Sequence, residues 1–110
     1  SEPLWSPSEF MECAAVVCPE PRELGNALLG LVLEKRDLPH ACEVELLILA
    51  YHYYEESTCL DGADVLIQLA IGRAHCYVAA RDFRPLLRLL TGFGNFWALQ
   101  PVVDLLVKNE

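Results

Sequence analysis

The stretch Leu86-Leu87-Arg88-Leu89-Leu90-Thr91-Gly92-Phe93-Gly94 decides how this chain folds. Leucines at 86, 87, 89 and 90 cover most of a helical circumference, so the segment reads as the end of a buried helix. Gly92 offers a residue that takes the left-handed conformation at a helix stop. Gly94-Asn95 then provides a turn and a new cap before the next apolar run, which reaches Asp104-Leu105-Leu106. The stretch joins two helices that both need partners, and it carries no catalytic nucleophile, base or metal ligand. It points to a helical scaffold.

Working outward, Pro85 is tolerated only in a first helical turn, which starts this helix near Asp82 and ends it at Gly92. A last helix is expected over about 95–108, with Pro101 in its path. Either it kinks there, or the helix proper begins at Pro101 with Gln100 as its cap. On the other side, a helix from about Leu60 to Ala80 has Val65, Leu66, Leu69 and Ala70 as its core face. Gly72 lies mid-helix, at a close helix–helix approach or at a break.

Residues 41–57 carry two apolar stripes. Val44, Leu47, Ile48, Tyr51 and Tyr54 or Glu55 form one, and Leu46, Leu49, Ala50 and Tyr53 the other, so this helix is expected to be buried on more than one side. Over 21–36, Leu24, Ala27, Leu28, Leu31 and Val32 mark a single face, with Lys35 and Arg36 favourably placed in the last turn. Ser6-Pro7-Ser8-Glu9 is a capping box that opens a short helix through Val17, closed by Cys18-Pro19-Glu20-Pro21.

No segment shows sustained two-residue alternation. The expected architecture is all-α, with five to six helices in antiparallel pairs. Residues 1–110 form one domain or a fragment of a longer helical scaffold. The two-sided apolar faces predict α-solenoid-like stacking of a helical repeat.

Hydrophobic residues make up 54% of the chain, above the roughly 45–50% of ordinary soluble domains. No uncharged apolar run approaches the ~18–20 residues of a bilayer span. The excess fits faces meant for neighbouring repeats or partners. Ser1 stands where an initiator Met would, and no signal-peptide pattern follows, so a piece of a longer polypeptide is expected.

The net charge of −8 is uneven. Residues 1–64 hold thirteen acids against three bases, and residues 65–110 hold three acids against five bases. An acidic surface argues against general nucleic-acid binding and against non-specific attraction to anionic lipid. Specific protein contact is the use that fits.

Five cysteines, an odd number without a C-x-x-C pair, sit mostly in apolar runs. They read as reduced, buried small hydrophobes of a cytoplasmic protein. His40-x-Cys42 and His75-Cys76 lack the paired spacing of structural zinc sites. His75 and Cys76, as helical neighbours, point about 100° apart and make a poor nucleophile–base pair. Gly92-Phe93-Gly94 lacks the third glycine and the preceding strand of a phosphate loop. No catalytic residue, metal or cofactor is expected.

Arg81, Arg84 and Arg88, at i, i+3 and i+7, are placed on one face at the start of their helix. They form either a solvated face pairing with acids of the first half, or a docking strip for an acidic partner or lipid headgroup. Tyr51, Tyr53 and Tyr54 form one aromatic cluster, and Phe93, Phe96 and Trp97 a second. Core packing is the ordinary use of such clusters. Phe96 and Trp97 follow a turn, where one of them can anchor a neighbouring repeat or partner.

Four ordered patches carry a family resemblance. They are Glu45-Leu46-Leu47-Ile48-Leu49-Ala50, Cys59-Leu60-Asp61-Gly62 with Val65-Leu66, Leu87-Arg88-Leu89-Leu90-Thr91-Gly92 with Gly94, and Asp104-Leu105-Leu106. Across roughly residues 43–107 the chain resembles the C-terminal region of the spatacsin family. That resemblance implies a non-enzymatic helical scaffold that partners spastizin and the fifth adaptor protein complex. It implies a cytoplasmic protein, peripheral at lysosomes or late endosomes, in membrane trafficking and autophagic lysosome reformation. No catalytic residues carry over, and the matched residues are read as fold determinants. The competing reading is a self-contained acidic helical bundle, an adaptor that regulates a partner outside trafficking.

Overall fold

The computed structural model describes residues 20–34 and 37–109, and these residues form five helices. These are α1 Pro21–Glu34, α2 His40–Glu56, α3 Leu60–Ala79, α4 Arg84–Phe93 and α5 Gln100–Lys108. No strand occurs among the described residues. The helix expected before Val17 lies outside them, as do Lys35 and Arg36.

Two connections use the same device. α2 ends with Thr58 in the left-handed region at φ 54° and α3 with Arg81 at φ 56°. In each, the next amide reaches back over the last turn: Cys59 N–H to the Tyr54 carbonyl at 2.8 Å, and Asp82 N–H to the Tyr77 carbonyl at 2.9 Å. Thr58 N–H to Glu55 and Arg81 N–H to Val78, both at 3.0 Å, complete two Schellman caps. Both caps place a side-chain-bearing residue where glycine is the easier choice.

The helix stop at 92–94 corrects the sequence expectation. Gly94, at φ 69°, is the left-handed residue that closes α4. Gly92 is still helical, and a Cβ there would collide with the Ile48 side chain of α2. Its lack of a side chain serves a close approach between helices. Asn95 meets the expectation of a new cap in part, since its side-chain oxygen accepts from Ala98 N–H at 3.2 Å and so holds the turn 96–99. Pro101 does not kink a helix. α5 starts at Gln100, one residue before it, with Leu99 at the cap.

α2 is the centre. Val44, Leu46, Leu47, Ile48, Ala50, Tyr51 and Tyr54 are all buried, so the two-stripe reading holds. Each buried leucine contributes roughly 1.5–3 kcal/mol relative to exposure. α3 buries Ala63, Leu66, Ala70, Ala74 and Tyr77. Its stripe is therefore turned away from Val65, which was expected in the core and is 49% exposed. Gly72 interrupts nothing and approaches nothing. The helix runs through it, and a Cβ there would meet open space.

The close approach lies elsewhere. The Tyr54 ring sits between Gly25 of α1 and Gly62 of α3, where added Cβ atoms would fall 2.9 and 2.6 Å from ring carbons. Its hydroxyl donates to Asn26 at 2.6 Å. One aromatic ring thus sets the spacing of three helices.

Side-chain pairs fix the directions. The end of α2 meets the starts of α1 and α3, through Tyr54 with Asn26 and Gly62. The start of α2 meets the end of α3, through Glu43 with Arg73. These pairs are antiparallel. α2 and α4 run parallel, matching Glu45 to Arg88 and Tyr51 to Phe93. Among the described residues each helix packs on the next and on the next but one, and no farther along the chain.

Candidate interaction surface

One polar cluster between α2 and α3 is turned inward, while Glu55, Glu56, Asp61 and Asp64 of the same helices are exposed. Glu43 follows Pro39 by four residues, so it lies in the first turn of α2, at the dipole end that favours an acid. It is buried at 6% exposure. It accepts from Arg73 Nε at 2.7 Å and from the Tyr77 hydroxyl at 2.5 Å. Burial, then the hydrogen bond to Glu43, pushes the Tyr77 hydroxyl far above its ordinary value and keeps it a donor. Burial pulls the Arg73 guanidinium down, but the hydrogen bond and charge of Glu43 outweigh it and hold it above its usual range.

His40 extends the network. Its ring packs on Tyr77 with centroids 4.7 Å apart, and its Nδ1 lies 3.0 Å from the Asp82 carboxylate. Among the described residues no buried side-chain polar atom lacks a partner. The arrangement locks the α2 start to the α3 end and to the connection beyond. Sequence reasoning passed over Glu43, Arg73 and Tyr77. No local signal singles them out, because α2 and α3 carry several other acids and Arg73 stands thirty residues from Glu43.

The α4 side is different. α4 turns Pro85, Leu86, Leu89, Leu90 and Phe93 inward and leaves Arg84, Leu87, Arg88 and Thr91 outward. The three arginines do not line one helical face. Arg81 caps α3 in the left-handed conformation, outside α4. Arg84 is the first residue of α4 and is exposed. Arg88 is a partner of Glu45, donating from Nε and, at 3.0 Å, from Nη2. The expected pairing with acids of the first half is thus met by Arg88. Arg81 and Arg84 make no ion pair among the described residues.

The aromatic clusters divide as well. Tyr51 stacks on Phe93 at 4.4 Å and 14°, and Tyr54 is buried, so these are packing residues. Phe96 is 58% exposed and Trp97 90% exposed, on the turn between α4 and α5. Both are available to a partner. Beyond them α5 buries only Val102, although Val103, Leu105, Leu106 and Val107 are also apolar.

His52 is exposed. Its Nε2 contacts the Gly92 carbonyl and its Nδ1 lies 3.2 Å from Glu55. Cys42 and Cys59 are half-buried, whereas Cys76 is exposed and receives Arg73 Nη1 at 3.3 Å, contrary to the expectation of a buried thiol. Burial pushes the Cys42 thiol up, toward the neutral form. Among the described residues, no three His, Cys, Asp or Glu side chains converge as metal ligands.

These features define an all-helical module that encloses one polar cluster between α2 and α3 and leaves a basic and aromatic surface along α4 and the turn after it. The chain belongs to the spatacsin C-terminus family, whose model matches residues 23–110. The match takes in all five helices except the first residues of α1, and it extends the resemblance through residues 23–42. No curated protein and no solved structure matches the chain.

Proposed function

We propose that the chain is a non-enzymatic helical scaffold segment for protein–protein assembly in lysosomal and endosomal membrane trafficking, including autophagic lysosome reformation. The observation that carries this reading is membership of the spatacsin C-terminus family over residues 23–110. Spastizin and the fifth adaptor protein complex are the partners the family reading brings. A cytoplasmic location, peripheral at lysosomes or late endosomes, goes with them. No helix among the described residues is long and apolar enough to cross a membrane.

Packing supports the scaffold part. Contacts that reach only the next helix and the next but one suit an α-solenoid, in which each unit leans on its neighbours. The incompletely covered α5 is then a surface for a further helix. The competing reading, a self-contained bundle adaptor outside trafficking, is favoured by one feature, the enclosure of α2 by α1, α3 and α4.

Proximity labelling in cells with the tagged chain tests the proposal. Enrichment of spastizin or adaptor subunits over a tag-only control is expected. Their absence beside another reproducible partner would transfer the case to the bundle adaptor.

A further inference from the structure

None of positions 83–103 is acidic, in a chain with sixteen acids among 110 residues. That run contains all of α4 and the turn after it. On the outer strip of α4, Leu87 is 56% exposed. Arg84 lies one turn before it, and Arg81 stands just ahead of the helix. Neither arginine has a carboxylate partner among the described residues. Arg88 on the same strip is neutralised by Glu45, which leaves the two forward cations and the leucine as the groups without complements.

We infer that the outer strip of α4 docks an acidic amphipathic helix of a protein partner. Its carboxylates meet Arg84, and its apolar side chain covers Leu87. The inference rests on the assembly reading above and adds the chemistry of the partner. Charge complementarity selects this occupant over an anionic membrane. A helix about 10–12 Å across meets little beyond the α4 strip, where the neighbouring carboxylate of Glu45 is already paired with Arg88. A flat bilayer confronts much more of a molecule of net charge −8. The acids elsewhere act weakly on the narrow ligand, because charges are screened beyond about 8 Å at physiological ionic strength.

The full chain can be titrated with a fluorescein-labelled synthetic helical peptide that repeats Glu, Leu and Glu three and four residues apart on one face. Fluorescence anisotropy reads the binding. Saturable binding that weakens with salt is expected, and it should fall about tenfold or more in R84E and in L87S. R84Q should give a smaller loss in the same direction, and it keeps the test usable if charge reversal disturbs folding. Circular dichroism checks each variant for unchanged helix content. Equal binding of a peptide with Gln in place of every Glu would overturn the inference. So would unchanged affinity in folded R84E and L87S, or binding to phosphatidylserine vesicles with none to the acidic peptide. Self-association abolished by R84E, without peptide binding, would assign the strip to a second copy and also overturn it. None of these failures alters the proximity-labelling result, so the assembly reading stands or falls separately.

Discussion

The α2–α3 pair and the α4–α5 end have similar sequence character, leucine-rich with a few charged and aromatic residues, yet they use those residues in opposite ways. Along α2 and α3, Glu43, Arg73, Tyr54 and Tyr77 are turned toward neighbouring helices and their hydrogen bonds fasten helix to helix, while Glu55, Glu56, Asp61 and Asp64 stay exposed. At the α4–α5 end two arginines and two aromatics face outward, and α5 is only partly covered. The difference lies in where the partner sits. A buried charge survives only with a bonded complement, so Glu43, Arg73 and Tyr77 must keep one another. Arg84 and Trp97 carry no such obligation, and their complements can come from another molecule.

The largest effect that could break this comparison is expected at Glu43. Glu43→Ala leaves a buried hydroxyl and a partly buried guanidinium without their acceptor, and should cost about 3 kcal/mol in denaturant unfolding. A loss comparable to that of an exposed surface substitution would remove the case for an inward-facing polar core.

Next comes a pair of glycines with opposite surroundings. Gly62→Ala drives a methyl group into the Tyr54 ring and should destabilise by about 2 kcal/mol. Gly72→Ala, on the same helix but facing open space, should stabilise by up to about 1 kcal/mol. Thermal melts of the two variants should move in opposite directions.

Alkaline pH sharpens the contrast further. Burial raises Tyr77, and to a lesser extent Tyr51 and Tyr54, above the ordinary tyrosine value of 10.0. The unfolded chain therefore loses these protons first. The stability they contribute is complete below pH 10 and is lost as pH rises above it, by about 1.4 kcal/mol per pH unit for each tyrosine that stays protonated only in the folded state. Tyr77→Phe should make the decline shallower in unfolding curves collected above pH 10.

A smaller gain is expected at the second Schellman cap. Arg81→Gly relieves a left-handed side chain and should stabilise by about 0.5–1 kcal/mol in denaturant unfolding. The smallest effect belongs to Trp97. Trp97→Ala should change stability by less than about 0.5 kcal/mol and should act, if the open end serves assembly, on partner enrichment alone.

Helix positions were legible because their causes are local. Pro39, Pro85 and Pro101 each stand at or next to a helix start, and the apolar spacing between them has helical period. The exchange of roles between Gly92 and Gly94 was not legible. Two glycines one residue apart offer the same stop, and the side chain that selects between them, Ile48, lies more than forty residues upstream. Glu43 looked like an ordinary first-turn acid because its partners sit thirty and thirty-four residues away. Arg81 fitted a helical i, i+3, i+7 series until the Schellman cap removed it from the helix. Phe96 and Trp97 are expected just after a Gly94-Asn95 turn, and they lie instead within the turn 96–99, because the last helix starts only at Gln100. What was missed is set by tertiary contact across helices.

Amide hydrogen exchange on the full chain tests the central contrast most directly. Amides of Leu46–Ala50 in α2 and Leu66–Ala70 in α3 should exchange slowest, at the limit set by global unfolding. Those of the 96–99 turn and of α5 should exchange orders of magnitude faster. Uniform protection across all five helices, with α5 as slow as α2, would contradict the account of an enclosed half carrying an open one.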